Sequence, residues 1–417
     1  MLKFGVMELT KNRPPFSIIR RKKVTPFQPP DWEEAENIQV YFNPYQDIEW
    51  NNVDHYITAF HTHPYKNDGE RSDLRNPHEL IDFYAELEHN YIDALKTYGI
   101  AGNPGRNQEE EWEGDTYRVD KPFQSWPWTE LEDIHDPEIE EENDAIENRD
   151  PEVLEVIAYP SVEYLGDHGS EHVIILFGED IPQDKSTYRQ KQDFYEPYTG
   201  WEGGVDLADE YGGLAIIAHP NRDDYSPDTY FQKIEEKDAF IGFEVINKTS
   251  DREDVERWDS ILSHFSPSIE GIYGVGAQDQ NDNWDIGGDS FTRNTSLILN
   301  PNDLDHTNQT QSRQKVREAW ENGNLFAHRR PAWNNPHEPP APYPKINSIE
   351  INEQEKKIAI DTKDTDKIEW FSEGKKVAEG EEFNFGFEEL KEKFVRFELK
   401  NDAGGETFSQ PISFTEE

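Results

Sequence analysis

An α/β fold followed by a smaller all-β unit is what this sequence predicts, and three observations predict it. Short apolar runs recur from Ile57 to Leu299, stretches of helical period lie between several of them, and a proline-rich segment then gives way to short alternating strands. The apolar runs are continuous rather than alternating, which predicts a parallel sheet buried on both faces. The 417 residues suit two or three folding units, or one barrel of roughly 250–300 residues with a small module.

In chain order, residues 1–40 are proline-rich and irregular and read as an arm lying on the next unit. Residues 41–330 form the α/β unit, with strands expected at Ile57–Phe60, Val153–Ala158, His172–Phe177, Leu214–Ala218, Ile241–Ile246, Ile272–Ala277 and Ser296–Leu299. A first helix opens at Asn76-Pro77-His78-Glu79, which offers an N-cap, a proline at the first helical position and a Glu at the third. Its apolar stripe is Leu80, Phe83, Tyr84, Leu87, Tyr91 and Leu95. Ser250 with Glu253 repeats the capping box ahead of Val255, Trp258, Ile261 and Leu262. A further helix over Gln311–Asn322 carries Val316, Ala319 and Trp320 and stops at Gly323. The acidic, Trp-bearing stretch 104–150 lacks a period and is too long for an ordinary connection, so it fits either a functional lid or a solvated insertion. Residues 331–344 read as a linker, and 345–417 as a small β-sandwich with strands such as Ile368–Phe371 and Phe394–Leu399.

Composition narrows the function classes. The chain carries 88 acidic against 41 basic side chains, a net charge of −47, so bulk nucleic acid and anionic membranes are repelled and no basic run compensates. Mean hydropathy is −0.97, yet 11 Trp, 18 Tyr and 23 Phe are too many for a disordered chain. The polarity therefore belongs to the surface, as in adaptation to high salt, although the even use of Lys and Arg argues against that reading. Absence of Cys excludes disulfides and thiolate metal sites. Arg20-Arg21 has no apolar run behind it, so no signal peptide or membrane span is expected and a cytoplasmic location follows by default.

The chemistry concentrates at strand ends. His61 and His63 flank Thr62 directly after the first apolar run, and period-two alternation points both imidazoles to one side. Glu163 follows Val153–Ala158 across a Tyr-Pro-Ser turn, His172 opens its run, His219 ends Leu214–Ala218 and Asp279 follows Ile272–Ala277. Five of these six sit at or just past the carboxyl end of a run, the edge where barrels of parallel strands build active sites. His, Glu and Asp without Cys suit two divalent ions, Mn, Zn or Fe, and a bridging carboxylate suits a pair. Such a pair holds hydroxide at neutral pH and clamps phosphate-ester oxygens, so a small phosphate ester is the expected substrate. Glu163 and Asp279 are the acids expected to act in catalysis. Arg222 and Arg329 are candidates for binding substrate phosphate, or equally for pairing with nearby carboxylates, the latter being the reading for Arg330. His172 fits a ligand or a satisfied core histidine, and Asp68 and His168 are candidate substitute ligands or solvated side chains. Trp112, Trp126, Trp128 and Trp284 fit a ring-binding pocket or simple loop anchors.

Taken in order, His61-Thr62-His63 with Asp68-Gly69, Pro160-Ser161-Val162-Glu163, Glu171-His172-Val173, Ala218-His219-Pro220-Asn221 and Gly274 through Asp279 resemble the motifs of the PHP (polymerase and histidinol phosphatase) superfamily of metal-dependent phosphoesterases. The likeness covers about residues 43 to 328 and includes Asn43-Pro44-Tyr45, Trp50 and Trp126-Pro127-Trp128. It implies a distorted seven-stranded β/α barrel with a metal cluster at its strand ends. It also implies that His61, His63, Glu163 and Asp279 hold one ion, that Glu163, His172 and His219 hold a second, and that Glu163 bridges them. Two family histidines are missing, where Gly102-Asn103-Pro104 and Asp279-Gln280-Asn281 stand. Proline cannot ligate and Asn is a weak ligand, so the expectation is a dinuclear site with the third position vacant. Loss of those histidines leaves a non-catalytic binding protein as the alternative.

Overall fold

The structure is a computed structural model that describes residues 27–61, 95–102, 157–165, 172–178, 200–220, 226–236, 238–247, 252–277, 293–305, 307–331 and 341–416. The expected first helix, the 104–150 insertion, His63, Asp68, His168, Arg222, Asp279, the missing-histidine positions Pro104 and Asn281, and the four loop tryptophans lie outside them.

Nine strands follow one another around the main sheet: β2 (Asp54–Ala59), β3 (Leu95–Gly102), β4 (Ile157–Leu165), β5 (His172–Leu176), β6 (Leu214–Ala218), β7 (Phe240–Ile246), β8 (Tyr273–Gly276), β9 (Arg293–Leu299) and β10 (Leu325–Arg329). Their spatial order is β10-β9-β2-β3-β4-β5-β6-β7-β8. The expected parallel sheet is corrected to a mixed one, because β5 is antiparallel to both β4 and β6, and β9 is antiparallel to both β2 and β10. The continuous apolar runs have another cause. Alternate residues of β5 and β6 enter two separate cores: Val173, Ile175, Ala215 and Ile217 join one, while Ile174, Leu176, Ile216 and Ala218 join the other. Each face is covered, so each face is apolar whichever way the strand runs.

Two boundary differences change where a named residue lies. The second core strand does not stop at Ala158; β4 runs on through Pro160 and contains Glu163, so no Tyr-Pro-Ser turn precedes that residue. Leu95, assigned to a helical stripe, instead begins β3 and pairs with Ile57.

Among the described residues the α-helices are α1 (Gly200–Glu210), α2 (Phe231–Glu236), α3 (Arg252–Phe265) and α4 (Gln309–Glu321). Along α3, Val255, Trp258, Ile261 and Leu262 are buried at helical spacing. In α4 the Asn308 side chain caps the start by accepting from the Gln311 N–H at 3.2 Å. Gly323 ends that segment at φ 69°, and a Cβ there would lie 2.4 Å from the Tyr273 ring, so only glycine fits.

The ladders do not show the distorted seven-stranded barrel, because among the described residues none joins β8 back to β9 or β10. The sheet is nevertheless rolled, and side chains stitch its seam. Thr295 Oγ1 on β9 accepts from the Gly276 N–H at 3.0 Å and donates to the Gly276 carbonyl at 2.9 Å. Gln410 does the same for Gly274, its Oε1 accepting and its Nε2 donating, both at 2.8 Å. The amide side chain thus stands in for a neighbouring strand. A Cβ at Gly276 would come within 2.3 Å of the Asn294 carbonyl oxygen, so this close approach depends on glycine.

The C-terminal strands are continuous with this sheet. Strand β17 (Glu406–Phe408) pairs with β10, and β1 (Ile38–Phe42), at the end of the expected arm, pairs with β18 (Ile412–Glu416). A separate sheet of β11 (Lys345–Asn352), β12 (Lys357–Lys363) and β15 (Glu382–Asn384) shares a core with β13 (Lys367–Ser372) and β16 (Phe394–Lys400), through Ile349, Ile358, Trp370 and Phe397. Ile298 and Phe326 of the rolled sheet enter that core. A buried ion cluster locks the joint: the Arg396 guanidinium forks onto both oxygens of Asp259 on α3 at 2.7 Å and reaches Glu398 at 2.8 Å. Arg252 also donates to Glu398 at 2.8 Å.

Candidate metal centre

Three of the predicted ligands come together. His61 follows β2, His172 opens β5 and His219 follows β6, and all three are buried. The antiparallel course of β5 explains why His172 stands first in its strand while its partners stand last. Its start lies at the same pole as the ends of β4 and β6, opposite Leu165 and Ala218 in the ladders. The His172 and His219 ring centroids are 4.7 Å apart, with His219 Nε2 3.2 Å from His172 Nδ1. One nitrogen of that pair donates and the other accepts. The His61 and His219 rings lie 6.0 Å apart.

A fourth residue organises them, and the sequence reading missed it. Glu244, on β7, is fully buried. Its Oε1 lies 2.6 Å from His61 Nδ1, and its Oε2 accepts from the His219 backbone N–H at 2.9 Å and from Asn247 Nδ2 at 2.6 Å. In a flat sheet the five steps from β2 to β7 would separate these residues by about 24 Å at ~4.8 Å per strand. The contact therefore measures how far the sheet curls. His219 sits at φ 32°, a left-handed conformation uncommon for a side-chain-bearing residue, and the bond from its N–H to Glu244 holds it there. The signal was present in the sequence: an acid inside Phe240–Ile246, whose every residue is buried. Reading that run as uniformly apolar hid it.

The backbone of Glu163 lies in β4 opposite Ile174, two residues along β5 from His172. Ser161, two residues before it, donates its hydroxyl to the Phe60 carbonyl at 3.1 Å, next to His61. Strand β4 thus meets the end of β2 at the same pole.

Arg329 sits in the carboxylate pairing that was its alternative to binding substrate phosphate. It pairs across the ladder with Glu406, and its Nε donates to that carboxylate at 2.6 Å, so it bridges β10 and β17. Arg330 is buried with its guanidinium 4.5 Å from the Tyr343 ring centroid.

Among the described residues no group of three or more His, Cys, Asp or Glu is arranged to hold an ion. The donor chemistry nevertheless fits one, because buried imidazoles suit Zn, Mn or Fe, and a carboxylate behind a ligating imidazole is the usual support.

No protein-family model matches the chain, and no curated protein matches it. Among solved structures it is similar to a two-domain protein containing a predicted PHP-like metal-dependent phosphoesterase from Bacteroides vulgatus ATCC 8482. That likeness has 15% identity and a TM-score of 0.39, and covers 91% of this chain and 99% of the other. So loose a superposition assigns no activity. No helix among the described residues is long and apolar enough to cross a membrane.

Proposed function

We propose that the chain is a metal-dependent hydrolase acting on a phosphate ester. The observation that carries this reading is the convergence of His61, His172 and His219, from three different strand ends, on one buried pole organised by Glu244. Imidazoles brought together from residues 61, 172 and 219 have no apolar packing reason to meet, and the motif order in the sequence supports the same chemistry.

In this reading His61, His63, Glu163, His172, His219 and Asp279 hold two divalent ions, and Arg222 binds the substrate phosphate. Bound ions would supply a nucleophilic hydroxide at neutral pH and offset charge on the phosphoryl oxygens. The chain's own contribution is placement. Glu244 fixes the His61 ring and the strained His219 backbone together, and all three imidazoles are buried away from bulk water.

Metal analysis alongside turnover of an aryl phosphate tests the reading. The expected result is two ions per chain, with hydrolysis lost on chelation and in His63→Ala. Full activity in metal-free protein would overturn it. Two bound ions without hydrolysis of any ester would favour a binding protein that kept the site and lost the chemistry.

A further inference from the structure

We propose that Glu244 is a positioning residue that selects the tautomer of His61, holding the proton on Nδ1 so that Nε2 carries the lone pair. The inference rests on the metal-site reading for its purpose, but its geometry stands alone. A carboxylate only accepts hydrogen bonds. Facing Oε1 at 2.6 Å, His61 Nδ1 must therefore be the donor. The other oxygen is committed to two donors that cannot change roles with it, the His219 N–H at 2.9 Å and the Asn247 amide at 2.6 Å. Three donors converge on one buried acid, and each comes from a different position: the end of β2, the end of β6 and the residue after β7. Among the described residues no Lys or Arg pairs with this carboxylate. A cation on His61 Nε2 is the positive charge that would balance it through the imidazole.

This arithmetic gives a specific outcome for Glu244→Gln, which is nearly the same shape. A carboxamide offers one oxygen to three donors. Keeping that oxygen on His219 N–H and Asn247 turns the new NH2 toward His61 Nδ1, which must then accept. The His61 proton moves to Nε2, and the nitrogen needed for metal is blocked. A merely structural tie would not move the proton.

The test is ¹⁵N-histidine NMR of the full metal-free chain, with His61 assigned by His61→Gln, alongside zinc titration. We expect the Nδ1–H tautomer in the wild type, the Nε2–H tautomer in Glu244→Gln, and zinc affinity about 10–100-fold weaker in the variant. An unchanged tautomer or an unchanged affinity in the variant would overturn the proposal. If the variant does not fold, the wild type alone still decides, since an Nε2–H form there is incompatible with it. A wild type that binds no zinc would sink the hydrolase reading, while the tautomer measurement would still judge Glu244.

Discussion

Glu244 at the histidine pole and the pair Asp259 and Glu398 at the C-terminal joint are all shielded from water, yet their partners differ in kind. At the joint, Arg396 meets Asp259 through two parallel bonds and Glu398 through a third, and Arg252 adds another to Glu398. Those carboxylates face guanidinium groups directly. At the pole, Glu244 has an imidazole, a backbone amide and an Asn side chain. Burying an uncompensated carboxylate costs several kcal/mol, so the pole retains a demand for positive charge that the joint has already met. Burial is common to both regions; what separates a structural from a functional acid here is the charge of its partner.

The contrast breaks most sharply at Arg396. Replacing it with Met strands Asp259 and leaves Glu398 with Arg252, and the unfolding free energy should fall by about 3–5 kcal/mol in a urea titration. Metal affinity of the folded fraction should stay as it was, because the joint and the pole share no charged partner. An equal loss of metal affinity would show that the two regions are one network.

Acid should weaken the joint in a second way. His55 on β2 is bonded to the Ile346 carbonyl at 2.8 Å, and burial pulls its pKa from 6.5 down to about 4. Its folded pKa lies below its unfolded one, so the unfolded chain takes the proton first. Stability held above pH 6.5 is lost as the pH falls toward 4, by up to about 3 kcal/mol. His328, bonded to Ser296 at 2.7 Å and Thr407 at 2.9 Å, is also pushed well down by burial and adds to the same slope. Thermal melts across that window should be flatter in His55→Phe than in the wild type.

The smallest effect belongs to Glu369, which accepts from Lys367, Lys376 and Lys400 at 2.7, 3.1 and 2.9 Å. Burial opposes its charge, but the three lysines outweigh it and hold its pKa at about 2. A depressed acid stabilises above about pH 4.5 and loses that contribution as the pH falls toward 2. With partly exposed lysines, Glu369→Gln should cost only about 1 kcal/mol at neutral pH. Molar salt or pH below 2 should erase the difference.

Much of the strand content was legible because apolar runs are local: β6 occupies 214–218 as read, and β7 and β5 differ by a residue at one end. His219 was legible for the same reason, as a polar residue ending an apolar run. Strand direction was not, because a strand buried on both faces carries no mark of which way its neighbours run. The seam escaped as well, since Gln410 reaches Gly274 across 136 residues and nothing in either local pattern announces the contact. Glu244 lay between these cases, visible as an acid in an apolar run but meaningful only once the roll brings His61 to it.

Anomalous diffraction from crystals soaked in Mn²⁺ tests the central claim most directly. The account predicts two peaks at the pole, one of them within about 2.0–2.2 Å of His61 Nε2. Saturating manganese with no peak beside His61, His172 or His219 would contradict it.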